Sequence, residues 1–118
     1  MPMPLKALMA VVVLFGSGCW VFFHGNVSGA EAHHLVESGA LLLDVRSPEE
    51  FQAGHIEGAV NIPVQELEAR MGDVGSKERP VVVYCHSGMR SGRAAQVLER
   101  AGYAVRNLGP MDRWNAGP

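Results

Sequence analysis

The sequence has few cysteines, few aromatic side chains and no surplus of basic residues. Of its 118 residues only two are cysteine and 7% are aromatic. Two cysteines, Cys19 and Cys85, exclude a disulfide framework or a multi-cysteine metal site. Ten Lys and Arg stand against 12 Asp and Glu, so no excess of positive charge is present to neutralise phosphates, and nucleic-acid binding is not expected. The apolar share of 47% argues against wholesale disorder.

Charged residues are absent from Ala7 to Ala30. Within this stretch, residues 7–23 form an apolar run of 17 residues, close to the roughly 20 that a membrane-spanning helix needs. Lys6 precedes this run and Glu31 is the first charged residue after it. The positive-inside bias then keeps the N-terminus in the cytoplasm. We therefore expect one N-terminal hydrophobic helix that anchors the protein in a membrane, with the following domain outside the cytoplasm, in the periplasm.

The chain thus divides into a hydrophobic anchor or signal segment, residues 1–27, and one domain, residues 28–118. From Glu31 onward about 88 residues remain, which is enough for one core. Cleavage before Glu31 stays open as an alternative, because Ser28 and Ala30 supply the small residues that a signal peptidase recognises. The domain would then be secreted or periplasmic. Acylation of Cys19 would replace the anchor with a lipid.

Strand-like and helix-like segments alternate through residues 28–118. Short apolar runs predict strands, and cap residues with helical spacing predict helices. Predicted strands cover residues 40–45, 59–62, 81–84 and 105–108. Predicted helices cover residues 30–38, 48–53, 64–71 and 91–101, with a last helical turn over 111–115. This alternation indicates an α/β fold with a parallel sheet covered on both faces.

The turn CHSGMR, residues 85–90, joins the strongest predicted strand to a helix. In open α/β sheets the chemistry takes place beyond the carboxyl ends of the strands. Gly88 permits backbone angles that direct successive N–H groups inward, and such a nest beside a helix N-terminus binds anions. The nest should lower the pKa of Cys85 and make it a nucleophile at neutral pH, and Arg90 adds a fixed positive charge. A lone cysteine after a strand is usually a small buried hydrophobe, but this loop favours a nucleophile.

Several stretches resemble the rhodanese-like domains, a family of single-domain sulfurtransferases. The matching stretches are DVRSPEEF at 44–51, GHIEGAVNIP at 54–63, VYCHSGMRS at 83–91, and Leu108-Gly109 followed by Trp114. Together they extend over most of residues 28–118. The resemblance implies a three-layer fold with a central parallel five-stranded sheet flanked by helices. In one departure, Pro110 stands where the family often has a second glycine, so the turn towards Trp114 should differ.

The resemblance also implies a ping-pong sulfur transfer through Cys85. The cysteine would take the outer sulfur of thiosulfate or a related donor, hold it as a persulfide, and pass it to a thiol or to cyanide, with no cofactor or metal. The loop residues expected to bind the donor anion and the persulfide are His86, Ser87, Gly88, Met89 and Arg90. Arg90 is also expected to steer the anion in catalysis. Asp44 and Arg46 are expected to brace the loop from the neighbouring strand end.

Two other functions remain open. Dual-specificity phosphatases of a related fold carry one residue more between Cys and Arg, which makes a ring wide enough for phosphate. This chain has four residues there, His86 to Met89, and the tighter ring suits a sulfur atom. The second alternative is a non-catalytic module that carries or senses a persulfide. Such modules usually lack the nucleophile, which is present here as Cys85.

Overall fold

The structure is a computed structural model that describes residues 25–116. Within this range a five-stranded sheet lies between layers of helices, in the strand order β1-β5-β4-β2-β3, and all strand pairs are parallel. The strands are β1 Gly25–Asn26, β2 Leu41–Asp44, β3 Val60–Asn61, β4 Val81–Cys85 and β5 Val105–Pro110. The α-helices are α1 Gly29–Glu37, α2 Pro48–Ala53 and α3 Met89–Arg100, and 3-10 helices cover Val64–Glu66, Met71–Asp73 and Met111–Asn115. The α/β fold with a parallel five-stranded sheet, predicted from the sequence, is confirmed.

The central strand β4 places Cys85 at the carboxyl edge of the sheet. All five of its residues are buried, as expected for a parallel strand that is covered on both faces. Val81, Val83 and Cys85 pack in the core beneath α3. Val82 and Tyr84 pack in a second core on the α1 side. This alternation follows from the two-residue period of a strand.

Two helices begin at capping boxes that can be recognised in the sequence. The Ser28 and Ser47 hydroxyls accept hydrogen bonds from the N–H groups of Glu31 and Glu50, and each glutamate accepts in return from the N–H of its serine. Helix α3 is different, because no side chain caps it. It starts at Met89, two residues before the predicted start, after Gly88 takes a φ of 108°. The N-terminus of α3 therefore belongs to the cysteine loop itself.

The helix predicted for residues 64–71 is replaced by two 3-10 turns. The N–H of Val64 bonds to Val45 O at the end of β2, and that of Leu67 bonds three residues back to Val64 O. Val64 and Met71 pack against the core around fully buried Leu67. The spacings of three residues from Val64 to Leu67 and four from Leu67 to Met71 are those of an α-helix, but the chain makes three-residue hydrogen bonds at both ends of this stretch. The apolar pattern therefore identified a helical segment and not its kind.

The edge strand β1 comes from residues that the sequence analysis placed in the leader. Gly25 and Asn26 pair with Arg106 and Asn107 of β5. A strand of two small or polar residues carries no apolar periodicity, so no sequence signal marked it. The domain boundary between residues 27 and 28 stays a prediction, while the sheet itself begins at Gly25.

The prediction of a membrane-anchored, periplasmic protein is wrong for the part of the chain that the structure describes. Among residues 25–116, no helix has the length and apolar character that crossing a bilayer requires. The predicted hydrophobic helix, residues 7–23, lies outside the described residues.

Helix α1 packs very closely on the 3-10 helix Met111–Asn115. Gly29, the first residue of α1, is buried, and a β-carbon there would overlap the backbone carbonyl oxygen of Arg113. The ring of His33 stacks on that of Trp114 with centroids 3.6 Å apart, and His33 Nε2 donates to Trp114 O at 2.8 Å. Gly29 is therefore required for this contact because it lacks a side chain.

Replacing Gly29 with alanine should destabilise the domain. The new methyl group has to push a backbone carbonyl away, which costs about 1–3 kcal/mol for an overpacked site. Urea unfolding of the Gly29→Ala protein should show that loss of free energy with an unchanged m-value.

Gly72→Ala is the matched control, since nothing lies within 4 Å of a β-carbon at Gly72. Its free energy of unfolding should stay the same or rise slightly. Equal stability of the Gly29→Ala and Gly72→Ala proteins would contradict the close approach.

Candidate active site

The sulfur of Cys85 lies inside a ring of hydrogen-bond donors. Cys85 is fully buried, and the Gly88 N–H donates to its Sγ at 2.9 Å. The backbone N–H groups of Ser87 and Ser91 also form hydrogen bonds that lower the pKa of the thiol. This convergence depends on Gly88, because its φ of 108° is a conformation that side chains with a β-carbon rarely adopt. The strand end, the turn and the first turn of α3 thus all meet at one atom.

Ser91 adds a hydroxyl to this ring. Its Oγ lies 3.4 Å from Cys85 Sγ and donates to Gly88 O at 3.1 Å. A thiol can donate to this oxygen, and once the thiol ionises the hydroxyl is free to rotate and donate to the sulfur instead. Ser91 was not among the site residues expected from the sequence. A signal was present, because Ser91 shares the buried face of α3 with Ala94 and Leu98, at helical spacing.

Two opposing effects set the pKa of Cys85. Burial raises the pKa of the thiol, but the Ser91 hydroxyl and the N–H groups of Ser91, Gly88 and Ser87 together outweigh it, so the net effect lowers the pKa. The N-terminus of α3 adds its dipole in the same sense. The arrangement favours a thiolate, which is the nucleophilic form of cysteine.

Arg90 forms an ion pair with Glu50 of α2. Its Nη1 and Nη2 atoms lie 2.6 and 3.0 Å from the two carboxylate oxygens, and both side chains are about a third exposed. The hydrogen bonds from Arg90 lower the pKa of Glu50 to about 2. Glu50 was not among the site residues expected from the sequence. Its capping box can be read locally, but its partner lies 40 residues further along the chain.

Asp44 and Arg46 form a buried ion pair with each other. Arg46 Nη2 lies 2.7 Å from Asp44 Oδ2 and also donates to Gly54 O at 2.7 Å. The Arg46 guanidinium lies 5.7 Å from the centre of the Tyr84 ring. The Tyr84 pKa is raised, first by burial and then by its hydrogen bond to Asp44. Tyr84 directly precedes Cys85, so the Asp44–Arg46 pair supports the end of β4 and supports the cysteine loop only through it.

The other predicted loop residues are exposed. His86 and Ser87 face outward, and Met89 has 84% of its surface exposed. His86 lines a cleft of about 550 Å³ whose other walls include His55, Glu57 and Trp114. Within residues 25–116 no group of three or more His, Cys, Asp or Glu side chains is placed to hold a metal ion.

Pro110 packs against the loop from the neighbouring strand. It ends β5 opposite Cys85, and its Cδ would lie 3.6 Å from a β-carbon at Gly88. The register of β4 against β5 shifts at Tyr84, so that Leu108 is an extra residue on β5. The proline therefore forms one wall beside the cysteine loop.

Residues 28–116 match the family model of the Rhodanese-like domain. The chain belongs to this family. The rhodanese-like domain is 42% identical over 105 residues to the human Thiosulfate:glutathione sulfurtransferase. The match covers 75% of this chain and 91% of the relative. It is 44% identical over 71 residues to the Thiosulfate sulfurtransferase PspE of Escherichia coli, covering 58% of this chain and 68% of PspE.

Other relatives carry no assigned activity or cover more than this domain. The uncharacterised protein YqhL of Bacillus subtilis is 46% identical over 77 residues, and the match spans 64% of this chain and 60% of YqhL. The rhodanese-like domain therefore accounts for less than two thirds of that relative.

Solved structures show the same fold. The human single-domain sulfurtransferase superposes with a TM-score of 0.69 at 37% identity, over 76% of this chain and 94% of that one. A rhodanese with anions from E. coli superposes with a TM-score of 0.60 at 39% identity, over 64% of this chain and 91% of that one. Relatives with these names support sulfur transfer in general as the activity of the rhodanese-like domain.

Replacing Ser91 with alanine should raise the pKa of Cys85. The substitution removes the hydroxyl and keeps the backbone N–H groups, so burial is opposed by fewer donors. The rate at which iodoacetamide alkylates Cys85, followed by peptide mass against pH, should shift to higher pH.

Ser87→Ala is the control for this prediction, because Ser87 acts on the sulfur through its backbone N–H. Its alkylation profile should match that of the unmodified protein. A Ser91→Ala profile that also matches would show that the hydroxyl does not stabilise the thiolate.

Proposed function

We propose that the rhodanese-like domain is a sulfurtransferase that carries a sulfane sulfur as a persulfide on Cys85. The observation that supports this most directly is the buried Sγ with the Gly88 N–H at 2.9 Å and a lowered pKa. A thiolate held by N–H donors is ready to attack a sulfur electrophile, and the same donors are then available to stabilise the persulfide that forms.

In the first half-reaction, the Cys85 thiolate attacks the outer sulfur of thiosulfate. The bond between Sγ and that sulfur forms, the S–S bond of the donor breaks, and its electron pair leaves with sulfite. In the second half-reaction, a thiol or cyanide attacks the outer sulfur of the persulfide and Cys85 leaves as a thiolate. Each transfer balances in atoms and electrons, so neither needs an external oxidant or a general base on the cysteine.

The residues in and beside the cysteine loop have different roles in the proposed sulfur transfer. Backbone N–H groups from His86 to Arg90 hold the donor anion and the persulfide, at the N-terminus of α3. Arg90 contributes its positive charge at the rim, and Asp44 with Arg46 positions Tyr84 and the strand end before Cys85. The exposed face of Met89 leaves the loop open to an incoming donor.

The names of two relatives indicate a sulfur donor and a sulfur acceptor. PspE and the human relative are both named for thiosulfate as donor, and the human relative is also named for glutathione as acceptor. We extend both substrate classes, a thiosulfate-like anion and an organic thiol, to this domain. The cleft of about 550 Å³ beside His86 has room for such a thiol.

A phosphatase is less well supported than a sulfurtransferase. The four-residue spacing between Cys85 and Arg90 makes a small ring, and the Gly88 N–H already lies within hydrogen-bonding distance of the sulfur. A tetrahedral phosphoryl group needs more room than a single sulfur atom. A non-catalytic persulfide carrier would use the first half-reaction alone.

Thiosulfate should add one sulfur to the protein. We expect the intact mass to rise by about 32 Da, on the chemistry of an activated thiolate, and to return to its starting value when a thiol acceptor is added. Intact-mass spectrometry before and after each addition measures both half-reactions.

The Cys85→Ser protein is the control, and it keeps Cys19 as an internal second cysteine. An adduct that survives in Cys85→Ser would overturn the assignment of the nucleophile. Turnover of p-nitrophenyl phosphate without any sulfur adduct would favour the phosphatase, and an adduct that no acceptor removes would favour the carrier.

A further inference from the structure

Arg90 of the cysteine loop and Arg46, whose charge acts on Arg90, are each paired with a carboxylate. Arg90 forms two hydrogen bonds with Glu50, and these are the main cause that raises its pKa. Arg46 is held by Asp44 through Nε and Nη2. The formal charges of these two pairs cancel, so the backbone N–H groups supply the remaining attraction for an anion.

Glu50 stays ionised wherever the cysteine can be a thiolate. Its pKa of about 2 lies far below the pH at which a cysteine ionises. Glu50 therefore carries the charge that pairs with Arg90 throughout the pH range in which the site reacts. A doubly charged donor either binds without the full charge of Arg90 or has to draw Arg90 away from Glu50. A singly charged donor has less need of that charge.

We propose that Glu50 is a specificity-determining residue that disfavours dianionic sulfur donors relative to singly charged ones. This inference rests on the proposed sulfur transfer and names the donor class that the site accepts best, monoanionic sulfane donors such as thiosulfonates and organic persulfides. With a thiosulfonate, the Cys85 thiolate takes the outer sulfur, the S–S bond breaks, and its electron pair leaves on a sulfinate. No further reactant is needed.

Two probes isolate the effect of charge. Thiosulfate and methanethiosulfonate have nearly the same size and the same reactive S–S bond, but a methyl group in the second replaces a charged oxygen in the first. The rate of persulfide formation with each, measured by intact mass at low ionic strength, gives a donor ratio. Intrinsic differences in reactivity between the donors cancel when this ratio is compared between protein variants.

Glu50→Gln removes the charge and keeps the local structure. A glutamine at this position of a capping box still accepts from the Ser47 N–H. The rate with thiosulfate should rise about three- to tenfold because Arg90 gains a free charge near the site, and the rate with methanethiosulfonate should rise less. The donor ratio should move towards thiosulfate by about threefold, and added salt should reduce the change.

Glu31→Gln is the matched control, because Glu31 occupies the same position of the capping box at α1. It removes one negative charge that faces Arg106 at 3.9 Å and is not paired with Arg90, so the donor ratio should not change. An equal change in Glu31→Gln and Glu50→Gln would mean that net charge alone is responsible, and would overturn the role of Glu50.

A double substitution separates charge from structure. Arg90→Ala alone leaves Glu50 uncompensated and should slow thiosulfate most, whereas Arg90→Ala with Glu50→Gln restores neutrality and should recover much of that loss. If Glu50→Gln slows both donors equally, Glu50 only supports the fold and the inference fails, while adduct formation still supports the proposed function. If neither donor adds sulfur to the unmodified protein, the proposed function fails first.

Discussion

The sulfur transfer proposed for this domain depends on placing negative charge on the sulfur of Cys85, which is fully buried. Burial opposes that charge, and only convergent donors can outweigh it. The donors here are mostly backbone N–H groups, which cannot rotate away and need no counter-charge. Strand β4 brings Cys85 to the sheet edge, Gly88 reverses the chain, and α3 begins immediately afterwards. Each of these elements alone is common in α/β folds, and only their combination directs several N–H donors at one sulfur atom.

Most of the fold and the centre of the site could be predicted from sequence because their signals are local. The run of valines before Cys85, the glycine within the loop and the serines that start α1 and α2 act over a few residues. The short strand β1 and the 3-10 turns were not predicted, because they give no local signal of this kind. A strand of two residues is too short to show a periodicity, and the α-helical spacing of Val64, Leu67 and Met71 does not reveal that the chain forms two separate 3-10 turns there. Local patterns identify an element more readily than they define its geometry.

The charge environment of the site could not be read in this way. Arg90 was expected to add a fixed positive charge at the loop and to steer the donor anion, and the structure places Glu50 against it. Asp44 and Arg46 were expected to brace the loop from the neighbouring strand end, and they pair with each other beside Tyr84. Arg90 and Glu50, in contrast, are 40 residues apart, and only the folded topology brings them together. A motif therefore shows which charges are present, while the fold decides which of them remain available to a ligand.

The close packing of α1 on the last 3-10 helix has a consequence for how the domain is combined with other chains. Val27 N–H bonds to Asn107 O, Gly29 lies against Arg113, and His33 stacks on Trp114. The first and last described elements thus meet on one side of the sheet, far along the chain from the loop that carries Cys85. A domain whose ends are neighbours can be inserted into a host protein, or circularly permuted, without opening its sheet. Because Trp114 and His86 line the same cleft, a host protein attached beside the last 3-10 helix would lie close to the cysteine loop.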